Sequence, residues 1–353
     1  MKSMQIIVIH AITAGACFGQ VLDICEAQGN GAWLAVQSVT DLEEISTACL
    51  YLVEDGEAIL VDSLGTVRSD AAHCRLIPRA EGGCFSATST GTGYTAISLR
   101  AYSPEGTVEW ELVEDGDCYD APCGLLETVD GGVLMLWDSW STSRGLWVMK
   151  VSSAGEPVWK TFAIPTLHPF YTAFCAHGDD GCLVAAAVVA VGGDFAMTAL
   201  DPTGDETEMW SVGVLENLGA STPMGVRSSD EGVISVWADT PVPENLDDLI
   251  VIRDHSDSLD SWSYSLDSLS GAELLEAVDG GFIAAGGEDT PWVCATDMTG
   301  TVIWHHMFET EFVPVAMDSG NGFIFVAGEC ENGFFAACVE PAGGEVWSVL
   351  QNR

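Results

Sequence analysis

Short apolar runs separated by glycine turns recur along the whole chain. The clearest copy, residues 279–304, reads DGGFIAAGGEDTPWVCATDMTGTVIW, and an apolar segment at residues 273–278 precedes it. Glycine suits such turns because it reaches positive φ at little steric cost, and aspartate hydrogen-bonds locally beside it. Short apolar runs bounded by turn residues are typical of β-strands. Each copy therefore predicts four short strands joined by three connections.

The same pattern occurs seven times. The second turn residue is a glycine in every copy, and successive glycines are 41 to 52 residues apart. Six copies also end in a tryptophan, whereas the first has Ala58-Ile59-Leu60-Val61 in that place. Because these residues recur at fixed positions, we interpret them as structural. The glycines are Gly31, Gly83, Gly132, Gly181, Gly232, Gly281 and Gly322, and the tryptophans are Trp110, Trp159, Trp210, Trp262, Trp304 and Trp347.

Repeats of about 40 to 50 residues with four strands each are typical of β-propeller blades. Closing the blades into a ring also leaves few free strand edges. The repeat is too long for a β-helix and too regular for a stack of sandwiches. We therefore predict an all-β fold, a single seven-bladed β-propeller of four-stranded antiparallel blades, over residues 20–353.

The first 19 residues resemble a secretory signal. Met1-Lys2 precedes an apolar run at residues 6–9, and Ala14-Gly15-Ala16 matches an A-x-A cleavage site. The apolar run is too short to span a bilayer. Cys17 follows directly, as in a bacterial lipoprotein signal, but the usual leucine three residues earlier is absent. We expect export to the periplasm, cell surface or medium, no transmembrane segment, and a lipid anchor at Cys17 only as an alternative.

The chain is strongly acidic. It has 53 Asp and Glu residues against 11 Lys and Arg, a formal charge of −42. Such a field repels nucleic acid and anionic lipid, and it favours cations or basic partners. The alternative is that the acidity keeps a glycine-rich β protein soluble or suits a salty habitat. We expect a monomer with a protein or glycan ligand and no nucleic-acid partner.

The 12 cysteines allow two interpretations. Cys74 and Cys84 flank the first turn of the second copy, and Cys175 and Cys182 flank that of the fourth. In an oxidising compartment these pairs predict disulfides across hairpins. The alternative is that the cysteines are small buried apolar residues.

The connections between strands divide between the two faces of the predicted disc. In an antiparallel meander, the first and third connections of a blade lie on one face, and the middle connection and the link to the next blade lie on the other. The regular glycine turns therefore share one face. Loops on a rigid scaffold commonly carry binding residues, so we predict the ligand site on the other face, here called the loop face. The predicted loops are residues 37–47, 86–93, 138–145, 190–194, 238–248, 288–291 and 329–332.

Two kinds of side chain on these loops could bind a ligand. Aromatic rings could stack on a sugar or an apolar ligand, and the alternative is packing between blades. Carboxylates could bind calcium through their oxygens, although no EF-hand spacing is present, and the alternative is a solvated loop. We predict no other cofactor. The candidates are Trp137, Trp140 and Trp292 for stacking, and Asp138, Asp194, Asp239, Asp247, Glu288 and Asp289 for carboxylate contacts.

Motifs of catalysis are missing from the sequence. It contains no nucleophile elbow, HExxH sequence or P-loop. Paired carboxylates for glycoside cleavage are permitted by the many acidic residues, but the sequence selects no pair. We therefore predict an exported, non-catalytic propeller that binds or scaffolds a protein, glycan or cation through its loop face. The alternative is a secreted hydrolase or lyase that acts on polysaccharide with loop carboxylates near the ring axis.

Several repeats resemble a known group. The segments at residues 153–159, 297–304 and 342–347 resemble the Gly-to-Trp segment of propeller repeats in quinoprotein-like proteins. The DGGFI half resembles repeats of secreted bacterial proteins. The resemblance implies a propeller fold. Quinoprotein dehydrogenases typically have eight blades and two adjacent cysteines near the cofactor, and here no two cysteines are adjacent, so quinone chemistry is not expected.

Overall fold

A computed structural model describes most of the chain. No described helix is long and apolar enough to cross a membrane. The side chains within residues 210–280 and in some other stretches are outside the description. The described residues are 7–8, 17–27, 31–40, 45–54, 57–68, 73–91, 94–114, 119–140, 144–165, 169–177, 181–188, 194–212, 221–229, 232–239, 249–254, 260–265, 272–278, 281–287, 290–297, 301–320, 322–331 and 333–352.

The described elements are all β-strands. They are β1 (Ile7–Val8), β2 (Cys17–Glu26), β3 (Ala32–Thr40), β4 (Ile45–Glu54), β5 (Glu57–Arg68), β6 (Cys74–Pro78), β7 (Cys84–Thr90), β8 (Ala96–Tyr102), β9 (Val108–Glu114), β10 (Asp120–Glu127), β11 (Val133–Ser139), β12 (Gly145–Val151), β13 (Pro157–Pro165), β14 (Pro169–His177) and β15 (Gly181–Val188). They continue with β16 (Asp194–Leu200), β17 (Glu206–Val212), β18 (Ser221–Ser229), β19 (Gly232–Asp239), β20 (Leu249–Asp254), β21 (Asp260–Ser265), β22 (Ala272–Val278), β23 (Gly281–Gly286), β24 (Trp292–Asp297), β25 (Val302–Met307), β26 (Val313–Gly320), β27 (Phe323–Cys330), β28 (Gly333–Val339) and β29 (Glu345–Asn352).

These strands form seven sheets, and each sheet is an antiparallel meander of four consecutive strands. The blades are β2–β5, β6–β9, β10–β13, β14–β17, β18–β21, β22–β25 and β26–β29. The predicted seven-bladed propeller is therefore confirmed. β1 joins the last blade as a fifth strand, parallel to β29, with Ile7 opposite Val349. β2 begins at Cys17, three residues before the predicted start of the propeller, and the secretory signal stays a prediction.

The first strand of each blade lies innermost, and these strands form a closed ring. β2 contacts β6, β6 contacts β10, and the series continues through β14, β18, β22 and β26 back to β2. At the closing boundary, the Glu26 N–H donates to Asp318 Oδ2 at 2.9 Å. Tyr51 and Phe334 also face each other there, with ring centroids 6.4 Å apart. The first and last blades are therefore joined by side-chain packing and hydrogen bonds.

Most innermost strands share a second feature, a break in the register of their pairing with the next strand. It occurs in six of the seven blades, in β2, β10, β14, β18, β22 and β26. In β10 the break lies between Pro122 and Gly124. A β-bulge increases the local twist and tolerates proline, which cannot donate to the ladder. The recurrent bulge therefore fits the strongly twisted strands that surround the ring axis.

Apolar cores fill the spaces between neighbouring blades. One buried cluster joins blades 1 and 7 through Leu34 and Phe325, and another joins blades 2 and 3 through Phe85 and Met135. Every residue of the middle strand β11 is buried, whereas the outer strand β9 alternates between exposed and partly buried residues. Middle strands are covered on both faces, which explains their continuous apolar runs.

The glycine turn before the closing strand has the same geometry in four blades. In the second blade, the Gly106 N–H donates to the Ser103 carbonyl at 2.9 Å, and the Ser103 N–H donates to the Thr107 carbonyl at 2.9 Å. Gly106 has φ +80°, and the equivalent Gly155, Gly204 and Gly343 have φ between +81° and +83°. This is a type I turn followed by a left-handed residue, where glycine avoids steric strain.

The closing tryptophan of one blade lies on this turn glycine of the next blade. A Cβ atom added at Gly155 would lie 2.8 Å from the ring of Trp110, and one at Gly204 would lie 2.7 Å from the ring of Trp159. Trp110 Nε1 donates to the Ser153 carbonyl at 3.0 Å, a further contact across the boundary. The repeated glycine and tryptophan therefore form a contact pair across each of these two boundaries.

The first blade shows how the pair adapts when the tryptophan is missing. Val61 of β5 takes the place of the ring, because a Cβ atom at Gly106 would lie 2.6 Å from Val61 Cγ1. At the boundary of the last two blades, a Cβ atom added at Gly343 would lie 3.2 Å from the ring of Trp304. Trp347 is buried in the cluster that joins the last blade to the first. Trp210 and Trp262 lie in β17 and β21, and their side chains are outside the described part.

The predicted disulfides are not formed, because Cys74, Cys84 and Cys182 are free thiols. Cys74 pairs in register with Thr88, four residues from Cys84, which is about 13 Å along the strand. A disulfide needs Cα atoms within about 7 Å. Cys175 lies opposite Leu183, the neighbour of Cys182, so the two thiols point to opposite faces of the sheet. Neither hairpin can therefore form its bridge without a rearrangement of the backbone.

Candidate functional site

Several predicted loops are shorter than the sequence indicated. Residues 86–93 were predicted as a loop, but β7 continues to Thr90. Ser86, Thr88 and Ser89 are buried there, and the Ser89 hydroxyl donates to the Asp120 carbonyl at 3.1 Å. Likewise β3 reaches Thr40 and β4 begins at Ile45, which reduces the predicted loop 37–47 to four residues outside the described part. Small hydroxyl residues resemble a loop in sequence, yet they also fit a strand whose neighbours supply hydrogen-bond partners.

The structure places two candidate aromatic residues inside the propeller. Trp137 is 1% exposed in β11, and its ring centroid lies 6.3 Å from that of Trp147. The Lys160 Nζ lies 4.9 Å from the centroid of the Trp137 ring. Trp292, the first residue of β24, is 2% exposed. Neither ring can stack on a ligand in this arrangement, which favours packing between blades.

The candidate carboxylates are scattered rather than gathered. Asp138 is buried at the end of β11. Asp194 and Asp239 lie at the ends of β16 and β19, where only the backbone is described. Among the described residues, no group of three or more His, Cys, Asp or Glu side chains could hold a metal ion. The calcium site stays a prediction, and Asp247, Glu288 and Asp289 lie outside the described residues.

Three exposed aromatic residues lie on neighbouring segments of the loop face of blades 2 and 3. We call Tyr94, Tyr119 and Trp140 the aromatic platform. Their exposed fractions are 68%, 40% and 45%. The rings of Tyr94 and Tyr119 meet edge to face, with centroids 6.1 Å apart. Large aromatic side chains are mostly buried in soluble proteins, so an exposed group of three is an unusual surface.

Hydrogen bonds hold the three segments of the aromatic platform together. The Trp140 N–H donates to the Tyr119 carbonyl at 3.1 Å. The hydroxyl of Thr95, next to Tyr94, donates to the Asp120 carbonyl at 2.9 Å and accepts from the Asp120 N–H at 2.7 Å. Thr95 and Tyr119 also form an isolated parallel bridge. The middle loops of blades 2 and 3 and the link between these blades therefore form one connected surface, as the meander geometry predicts.

The indole of Trp140 has a fixed polar anchor. Its Nε1 donates to Asp138 Oδ2 at 2.7 Å, and that carboxylate is buried. The bond orients the ring and leaves 45% of the residue exposed. Of the residues predicted for ligand contact, Asp138 and Trp140 are thus brought together. Tyr94 and Tyr119 were missed, although Tyr119 lies in an inter-blade link, and those links belong to the loop face by the meander rule.

Basic side chains in blades 2 and 3 are paired with carboxylates. Arg79 binds Glu109 at 2.7 Å, and Arg100 binds Glu111 at 3.0 Å. Lys160 forms an ion pair with Glu114. The Ser98 hydroxyl and the Arg100 guanidinium hold the pKa of Glu111 below its usual range. These ion pairs occupy three of the basic side chains of blades 2 and 3.

Asp23 is a carboxylate of the innermost ring. Its Oδ2 accepts the Leu76 N–H at 2.7 Å across the boundary of blades 1 and 2, and its Oδ1 accepts the Ile24 N–H at 3.0 Å. Burial raises the pKa of Asp23 to about 6, and the nearby Arg75 opposes that shift. Arg75 Nε in turn donates to the Cys123 carbonyl of blade 3 at 3.0 Å. This acid and base therefore tie three innermost strands together.

The raised pKa of Asp23 predicts a pH dependence of stability. A folded-state pKa above the usual value means that this group stabilises the fold at low pH, and its contribution is lost as the pH rises from about 4 through 6. In Asp23→Asn, which does not titrate, this component should be absent. From pH 4 to pH 7, the unfolding free energy of the wild type relative to the variant should fall by on the order of 2 kcal/mol. Urea unfolding of both proteins at four pH values measures it, and a difference that does not vary with pH would contradict the assignment.

Comparison with known proteins supports the fold. No protein-family model and no curated protein matches the sequence. Saccharomyces cerevisiae Sqt1 has a similar structure, with a TM-score of 0.55, 12% identity, and coverage of 96% of this chain and 87% of that one. The β-propeller domain of the Trilobed protease from Pyrococcus furiosus is described as having an open velcro topology. Its TM-score is 0.53 at 9% identity, and the match covers 90% of this chain and 93% of that one.

The likeness concerns the fold alone. A structure of a prolyl endopeptidase gives a TM-score of 0.58 at 11% identity, and it matches 94% of this chain but only 50% of that chain. Identities this low show a shared architecture and carry no information about activity. The site must therefore be argued from the side chains of this propeller.

Proposed function

We propose that this protein is an exported binding or scaffolding propeller whose ligand contacts the aromatic platform. The observation that carries the proposal is that Tyr94, Tyr119 and Trp140 come from three chain segments, are exposed, and are held together by hydrogen bonds. Exposed aromatic groups of this kind are typical of interaction sites, because they bury a large area on binding and lose little side-chain entropy.

The proposal extends to location and assembly. The apolar run and small residues at positions 6–16 support export, and the charge of −42 supports a soluble monomer that avoids nucleic acid. Repeats similar to those of quinoprotein-like and secreted bacterial propellers support an extracytoplasmic setting. The ligand is then a protein or a glycan met outside the cytoplasm.

The alternative of a polysaccharide-acting enzyme finds less support. Such an enzyme needs two carboxylates on either side of one glycosidic bond. Asp23 has a pKa raised to about 6, the shift expected of a general acid, yet its oxygens accept backbone N–H groups from two blades. These bonds describe a structural carboxylate, and the aromatic platform describes a binding surface.

The test uses the full-length protein, the double variant Tyr94→Ala/Trp140→Ala and the control variant Ile303→Ser. Ile303 is an exposed apolar residue on the outer strand of another blade, β25, so the control removes apolar surface away from the platform. We would measure thermal shifts against a panel of neutral oligosaccharides, peptides and calcium. At least one probe should stabilise the wild type and the control but not the double variant. If every effective probe acts equally on all three proteins, the proposal is wrong.

A further inference from the structure

We infer that the aromatic platform binds a basic protein segment, with arginine or lysine side chains placed over the rings of Tyr94 and Trp140. This inference rests on the proposed binding role of the platform and adds the chemistry of the partner. Three observations support it: the charge around the platform, the chemistry of its exposed rings, and the same kind of contact inside the propeller.

The first observation is charge. The chain carries a formal charge of −42, and Asp115 and Asp117 precede Tyr119 in the sequence. The buried carboxylate of Asp138 lies at the nitrogen edge of the Trp140 indole and accepts its N–H. A surface in such a field attracts cations over distances up to about a Debye length, and it repels nucleic acid and anionic lipid.

The second observation is the chemistry of the exposed rings. The face of an indole or phenol ring carries negative charge density, so a cation is attracted when it lies within about 6 Å of the centroid. Guanidinium groups also stack flat on such rings, which an ammonium group cannot do. Because Tyr94 and Trp140 are 68% and 45% exposed, each can receive such a group without a change in the backbone.

The third observation is that blades 2 and 3 already use this contact internally. The Lys160 Nζ lies 4.9 Å from the centroid of Trp137 and 5.1 Å from that of Trp147, and Glu114 completes the ion pair. Arg79 lies 5.0 Å above the ring of Phe85 and binds the Glu109 carboxylate. In both places, a cation lies between an aromatic face and a carboxylate. The exposed rings of Tyr94 and Trp140 offer the aromatic half of this contact to a second molecule.

Salt dependence separates this partner from a neutral glycan. Attraction between a basic segment and an acidic surface weakens as salt screens it, whereas stacking of an uncharged sugar on aromatic rings is nearly insensitive to salt. Loss of binding when Tyr94 or Trp140 is replaced, in turn, separates specific contact with the platform from general attraction to an acidic protein. Both properties are needed to identify the partner.

The experiment titrates the full-length protein with three probes by isothermal calorimetry. The probes are a short arginine-rich peptide, the same peptide with glutamine in place of every arginine, and a neutral glucose oligosaccharide. The proteins are the wild type, Tyr94→Ala, Trp140→Ala, Trp140→Phe and the control Ile303→Ser. Thermal unfolding of each variant confirms that it is folded.

We expect the arginine peptide to bind the wild type and Ile303→Ser equally, and to bind at least about tenfold more weakly as sodium chloride is raised from about 50 to 500 mM. Tyr94→Ala and Trp140→Ala should each weaken its binding about three- to tenfold, and Trp140→Phe should retain most of it. The glutamine peptide and the oligosaccharide should bind much more weakly.

Two other results would overturn the inference and are distinguishable from each other. If the oligosaccharide binds and its binding depends on Tyr94 and Trp140, while the arginine peptide shows no such dependence, the platform is a binding site but its partner is not basic. If no probe depends on either residue, the proposed function fails together with the inference.

Discussion

Gly155→Ala should destabilise the protein by about 3 kcal/mol, because the new methyl group meets two obstacles at once. Gly155 has φ +82°, a conformation that costs an alanine about 1 kcal/mol or more. The added Cβ would also lie 2.8 Å from the ring of Trp110, so the indole must move from its place at the boundary of blades 2 and 3. Overpacking of this kind costs about 1–3 kcal/mol. Equilibrium urea unfolding measures the loss.

Gly322→Ala is the matched control. Gly322 has φ +82°, but the nearest atom to an added Cβ is Pro341 Cγ at 3.6 Å, an ordinary contact. The free energy of unfolding of this variant should fall only by the cost of placing alanine at positive φ, about 1 kcal/mol. Equal losses in the two variants would show that the contact between the Trp110 ring and Gly155 contributes nothing to the assembly of the ring.

Trp159→Ala should lower the free energy of unfolding by about 3 kcal/mol or more, because this closing tryptophan packs on the turn glycine of the next blade as Trp110 does. The ring lies on Gly204 of the next blade, and its Nε1 donates to the Pro202 carbonyl at 2.8 Å. Truncation removes the packing of the ring at the boundary and the hydrogen bond to the Pro202 carbonyl. The change in unfolding free energy again measures the loss.

Trp140→Ala serves as its control, because this tryptophan is 45% exposed on the loop face. Its truncation removes little buried surface and one hydrogen bond to Asp138, so it should cost about 1 kcal/mol, clearly less than Trp159→Ala, while it weakens ligand binding. The two substitutions therefore separate structural tryptophans from the one assigned to binding. If Trp140→Ala is as destabilising as Trp159→Ala, its ring belongs to the framework and the assignment of the platform is wrong.

The fold could be predicted from the sequence because its signals are local and repeated. The glycine turns recur with the same residue types, several of them at positions that need positive φ, and seven copies at nearly constant spacing imply seven blades. The repeat could not show which residues each repeated position contacts in the folded protein. Gly155, for example, contacts the ring of Trp110 in the previous blade. The two residues are 45 positions apart and belong to different copies of the repeat.

The candidate site could be predicted only in part. The loop face and Trp140 were identified from the sequence, because connection geometry follows directly from a meander. Trp137 looks the same as Trp140 in sequence, and only the structure shows that it is buried. Tyr119 belongs to the site because a hydrogen bond from Trp140 brings its link to the platform. Such a contact between segments has no signature in local composition.

The disulfide prediction shows the same limit. Cys175 and Cys182 are close in sequence and flank a turn, which is the usual pattern of a hairpin bridge. Whether two such thiols face each other depends on the register of the strands, and a shift of one residue reverses the face. The actual register places them on opposite faces.

The most direct test of the central claim, that this propeller binds its partner on the loop face, is hydrogen–deuterium exchange with and without the arginine-rich peptide. The account predicts that the peptide protects the segments that carry Tyr94, Tyr119 and Trp140, and leaves the glycine turns at 103–107 and 152–156 unchanged. Protection of those turns with no change at the platform would contradict it.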